Sequence, residues 1–129
     1  MEIPRGNSRE DIKARKQIIN DFYANWIAKH PDKKVWNKSL HAYIHVKFQS
    51  INETKGHASI SYKSTLAVLN LTELLEKAIV YQRKPSKHND KNQRSFDQII
   101  ILYFNSIRLL VGHQKSQNEY VQYCITEKK

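Results

Sequence analysis

The chain has 129 residues and 15.2 kDa, with 40% hydrophobic residues and thirteen aromatics. That is the size and composition of one domain with its own core, and it excludes collagen-like and low-complexity classes. Lysine and arginine outnumber the acids 22 to 12, for a net charge of +10, and no apolar run approaches the ~18 residues of a membrane-spanning helix.

From Ser8 the pattern is helical. Ser8 has the chemistry of an N-cap, Glu10 and Asp11 suit the first turn, and Ile12, Ile19, Phe22, Tyr23, Trp26 and Ile27 form one stripe. His30-Pro31 ends the helix, because the residue before proline is pushed out of the helical region. Trp26 and Trp36 read as core and core-edge packing.

From Leu40 the period changes to two. Leu40, Ala42, Ile44, Val46 and Phe48 alternate with His41, Tyr43, His45, Lys47 and Gln49, which predicts a half-buried strand with a polar, basic and aromatic face. His41 and His45 would share that face about 13 Å apart, too far for one metal ion; such a face suits nucleic acid instead. Asn52 to Gly56 reads as a turn, and His57 to Tyr62 equally as a short strand or an extended loop. A leucine-rich helix is expected over Thr65 to Tyr81, bent or restarted near Asn70, where Asn70 and Glu73 have capping-box spacing.

Residues 82–95 carry five bases and one acid and no apolar side chain beyond Pro85. They read as a mobile basic loop whose Arg83, Lys84, Lys87, Lys91 and Arg94 would meet phosphates, or simply solubilise the surface. Three strands are then predicted: Ile99 to Phe104, apolar on both faces; Ile107 to Gln114; and Tyr120 to Thr126. Turns at Asn105-Ser106 and Ser116-Gln117-Asn118 make them an antiparallel meander. Helices on one face would complete a two-layer α+β domain spanning residues 1–129, with the N-terminal helix over 8–30 and the α+β core over 40–126.

Lys55-Gly56-His57-Ala58-Ser59, the helix Leu71-Thr72-Glu73-Leu74-Leu75-Glu76-Lys77-Ala78, and Tyr120-Val121-Gln122-Tyr123, in this order of elements, resemble the barnase–EndoU–colicin–RelE superfold domains of phage and mobile-element polyvalent proteins. The resemblance spans about residues 40–126. It implies metal-independent RNA cleavage in active members, with no cofactor, and loss of activity in others. It aligns His57 with a functional turn and favours a tyrosine on the last strand, where Tyr120 and Tyr123 fall on opposite faces.

Attack of a ribose 2′-hydroxyl on phosphate needs a base, an acid and a cation. The residues nominated for these roles are His57, its partner His113, Arg108 on the strand face away from Leu109 and Val111, and Tyr123. Lys63 and Ser64, read as preceding the second helix, and Tyr120 join the basic loop as binding candidates, against a plain N-cap role for Ser64. Gly112 would mark a bulge or twist, and Cys124, the single cysteine, a structural thiol. The expected partner is nucleic acid, RNA before DNA, with an acidic protein as the alternative and no membrane. The absence of a signal sequence and of a disulfide framework leads to a cytoplasmic expectation.

Overall fold

The computed structural model describes residues 2–87, 93 and 95–128. Helix α1, Arg9–Lys29, starts where the cap signal lies: the Ser8 hydroxyl accepts from the Asp11 N–H at 3.1 Å. Two short strands follow, β1 Lys34–Asn37 and β2 Ala42–His45, then helices α2 Phe48–Ala58, α3 Tyr62–Val68 and α4 Leu71–Lys77. The chain closes through β3 Ile79–Pro85, β4 Gln98–Phe104, β5 Ile107–Gln114 and β6 Glu119–Glu127. They form one six-stranded sheet in the order β1-β2-β6-β5-β4-β3. Among the described residues only the β2–β6 pair is parallel. The expected three-strand meander is thus the centre of a larger mixed sheet in an α+β domain.

The inner face carries the main core. Ile100, Leu102, Leu109, Val111, Ile125 and Ile44 of the sheet pack against Ile19, Tyr23 and Trp26 of α1 and Leu71, Leu74 and Leu75 of α4. A buried polar chain ties three elements together here: Tyr23 Oη donates to Gln122 Oε1 at 2.9 Å, and Gln122 Nε2 donates to Thr54 Oγ1. Burial pushes the Tyr23 phenol well above its ordinary range. A smaller cluster of Phe96, Ile99, Val121, Tyr123 and Cys124 lies on the other, outer face, and no helix residue belongs to it.

Several sequence expectations are corrected. The strand read over Leu40–Phe48 is only Ala42–His45: His41 takes a left-handed turn at φ 59°, and Phe48 opens α2 with its ring in solvent. The expected turn over Asn52–Gly56, and the start of the segment from His57, are the body and end of α2. The buried face of α2 is Ser50, Thr54 and Ala58, which hydropathy cannot flag as a stripe. The leucine-rich helix does restart at Asn70, as expected, but it runs from Tyr62 to Lys77 instead of Thr65 to Tyr81, and Asn70 makes no side-chain cap bond. Residues 82–85 of the expected basic loop belong to β3, an edge strand, where charge on both faces discourages pairing with other chains.

One extra residue in β6, Tyr123, shifts the β5–β6 register, which passes from Leu110↔Cys124 to Val111↔Gln122. This bulge breaks the predicted alternation, so Val121 joins the outer cluster while Ile125 joins the main core. Gly112 has a different role from the one expected. A Cβ there would fall 2.4 Å from the Phe96 ring, so its hydrogen is what lets Phe96 lie on the sheet.

Candidate nucleic-acid interface

Strand register determines which side chains share the outer face. Ile79 pairs with Tyr103, Tyr103 with Arg108, and Arg108 with Thr126, so these four form a row across β3, β4, β5 and β6. The Tyr81 ring lies 5.0 Å from the Tyr103 ring, and Lys128 Nζ sits over the Tyr103 ring at 4.6 Å. Tyr81, the extra residue of a bulge in β3, is 67% exposed. Within the row, Arg108 Nε and Thr126 Oγ1 are buried and have no hydrogen-bond partner. A guanidinium carries five donors, and among the described residues none of those of Arg108 is in a hydrogen bond or ion pair.

The same face holds a second aromatic group at the β1–β2 corner. Trp36 and Tyr43, 43% and 45% exposed, meet edge to face at 5.1 Å. Lys34 Nζ lies 4.4 Å over the Tyr43 ring and His41 lies 5.2 Å from Trp36. Trp36 is therefore a surface ring, not core-edge packing. Beside this corner Lys47 Nζ donates to Gln114, Gln117 and Glu119 at 2.8, 2.6 and 2.8 Å, and His45 Nε2 stands 3.3 Å from Glu119. The Lys47 bond holds the Glu119 carboxyl below its ordinary pKa, and burial lowers that of the His45 imidazole.

The nominated residues are spread over the molecule. His57 is an exposed α2 residue whose Nε2 faces Glu53 Oε2 at 3.4 Å. Glu53 and Arg108 both bear on the Cys124 thiol, raising and lowering its pKa respectively. Burial is the larger influence and pushes that thiol up to about 12, which leaves it protonated and unreactive at neutral pH. His113 stands at the far end of β5, five residues from Arg108 or roughly 17 Å by strand rise. Its register partners place it with the inner face, against Tyr120 at 4.8 Å between ring centroids. Its Nδ1 meets Asp97 Oδ1 at 2.8 Å and its Nε2 meets Asn118 Oδ1 at 3.0 Å, so both ring nitrogens are engaged. Tyr120 packs against the main core and Tyr123 is buried against Phe96, on opposite faces as expected.

Lys63 and Ser64 are inside the first turn of α3 rather than before it, and the N-cap is Ser61. Ser64 is buried and donates to the Ala58 carbonyl at 2.6 Å, which makes it part of the α2–α3 joint. Arg83 and Lys84 lie on edge strand β3 and Lys87 just beyond it, all exposed; Lys91 and Arg94 fall outside the described residues. Among the described residues no three His, Cys, Asp or Glu side chains gather as metal ligands. Among the described residues no helix is long and apolar enough to cross a membrane.

Tyr81, Tyr103, Thr126 and Lys128 were not nominated from sequence. For Tyr103 a signal existed: a two-residue turn at Asn105-Ser106 pairs Phe104 with Ile107 and therefore Tyr103 with Arg108. What the face can do chemically is stack flat rings and pair with oxyanions.

The family model described as large polyvalent protein-associated domain 3 matches residues 13–114, and the chain belongs to that family. No curated protein and no solved structure matches it.

Proposed function

We propose that this domain, as one module of a polyvalent protein of a phage or mobile element, binds single-stranded nucleic acid on the outer face of its sheet without cutting it. RNA is the expected partner. The supporting observation is the exposed pair Trp36 and Tyr43 with Lys34 over the Tyr43 ring. Base–aromatic stacking contributes about 1–3 kcal/mol per base and tolerates any sequence, while nearby cations meet the backbone. An acidic protein partner would answer the charge but leaves the exposed rings without a purpose.

Titrating a short oligouridylate while following tryptophan fluorescence tests this reading, with buried Trp26 as the internal reference. Trp36 emission is expected to quench, affinity to fall steeply with salt, and the Trp36→Ala/Tyr43→Ala double variant to bind about 10- to 100-fold more weakly. Binding by that variant equal to the parent's would refute the interface.

The competing reading is the metal-independent ribonuclease of the resembled superfold. It draws on the His57–Glu53 pair and on Arg108, since Glu53 and Arg108 both act on the Cys124 thiol. Against it stands the distance between His113 and Arg108 and the engagement of both His113 nitrogens. Total RNA incubated with the protein in EDTA separates the two: 2′,3′-cyclic phosphate ends favour cleavage, and intact RNA at high protein concentration favours binding alone.

A further inference from the structure

From the Arg108–Thr126 pair we infer a second, separate element of the interface, a phosphate site. The inference rests on the nucleic-acid reading above and names the group this end of the sheet takes. Arg108 and Thr126 are directly paired across β5 and β6, which puts their Cβ atoms about 5 Å apart on the outer face. Both offer a desolvated donor, Nε and Oγ1, with no acceptor among the described residues. A buried donor left unpaired is a standing cost that a bound oxyanion removes. A phosphate suits the guanidinium: its two Nη groups, which unlike Nε are not closed to solvent, present donors to two oxygens beside the threonine.

One further cation stands beside the pair. Lys128 is held over the neighbouring Tyr103. Of the acids nearby, Glu53 faces His57, and Glu127, which accepts from Ser61, pairs with Ile107 and so belongs to the inner face. The Tyr81 and Tyr103 rings flank the site on its other side, where the base of the same nucleotide would stack. The site is distinct from the Trp36–Tyr43 corner. Register puts Tyr43 level with Glu119, six residues along the sheet and two strands across from Arg108, or roughly 20 Å away.

The test combines inorganic phosphate with single-stranded RNA. In a ¹⁵N-labelled sample the Arg108 Nε–Hε resonance is expected to shift saturably with inorganic phosphate and not with chloride of equal ionic strength. Arg108→Gln should abolish that saturation, lower RNA affinity about tenfold and reduce the slope of log affinity on log salt by about one. Trp36 quenching should persist at higher RNA concentration. Arg108→Lys keeps the charge but not the fork and should fall between, which separates a bidentate site from general attraction. Circular dichroism unchanged in both variants shows that they fold.

A resonance indifferent to phosphate, or Arg108→Gln binding RNA with parental affinity and salt slope, overturns the site even if Trp36 still quenches. Saturable phosphate binding with no RNA binding upholds the site's chemistry and overturns the nucleic-acid reading instead.

Discussion

Two arginines in this molecule carry the same charge in opposite circumstances. Arg15, fully buried in the joint between α1, the N-terminal segment and the α2–α3 turn, donates to four backbone carbonyls: Ser59 at 2.7 Å, Pro4 at 2.8 Å, Gly6 at 2.7 Å and Ile60 at 3.2 Å. Arg108, half-buried on the sheet's outer face, has no such bond among the described residues. The first ties one buried and three part-buried carbonyls of separate segments together, so its charge serves the architecture. The second leaves donors idle at an expense in stability, and groups left idle in this way mark where a molecule meets something else.

The largest expected effect breaks the first arginine. Arg15→Leu removes all four of these bonds and leaves their carbonyls without that donor, so unfolding free energy in urea should fall by about 3–5 kcal/mol, or the protein should fail to fold. If it lost less than about 1 kcal/mol, Arg15 would not be the tie described. Next comes the packing under the outer face. Gly112→Ala places a methyl against the Phe96 ring and should cost about 1–3 kcal/mol, read as a lowered Tm. Phe96→Ala in the same background should recover part of that loss.

Acid should act more weakly and in two steps, through the Lys47 corner at the other end of β6 from Thr126. The His45 pKa is lowered from 6.5 by burial, so below about that pH the unfolded chain takes up a proton more readily and stability falls. The Glu119 pKa is lowered from 4.5, mainly by its bond from Lys47, so its contribution is present at neutral pH and lost as pH drops through the depressed value. These groups are partly solvated, so each step is under about 1 kcal/mol. Urea midpoints measured from pH 7.5 to 3.5 should decline in both windows, and His45→Gln should flatten the upper one.

The smallest effect on stability belongs to Arg108→Leu. Removing an unpaired, partly desolvated guanidinium should leave the urea midpoint unchanged or slightly raised, within about 1 kcal/mol. A loss as large as that of Arg15→Leu would erase the contrast between the two.

Legibility in the sequence followed the same division. Helix α1, with Ser8 as its cap, and strands β4, β5 and β6 announced themselves because their buried faces are apolar at the right period. The turns at Asn105 and Asn118 were equally plain, and both residues adopt the left-handed conformation asparagine tolerates. Strand β1 is four residues, too short to show a period. Helix α2 buries serine, threonine and alanine while exposing Phe48, which inverts the usual signal. Strand β3, at the sheet edge, has little apolar burial to report.

In the candidate site, Arg108 was legible because its phase opposes Leu109 and Val111. His57 and His113 drew attention by residue type, but type does not disclose that Glu53, Asp97 and Asn118 already face them.

The sequence by itself settled the basic charge, the α+β class, the first helix and the C-terminal meander, since these follow from composition and from apolar spacing within single segments. Only the tertiary structure set Thr126 beside Arg108, lifted Trp36 into solvent and moved Tyr123 onto a bulge. Those facts depend on strand register between segments distant in the chain, and register is decided by packing across the whole sheet.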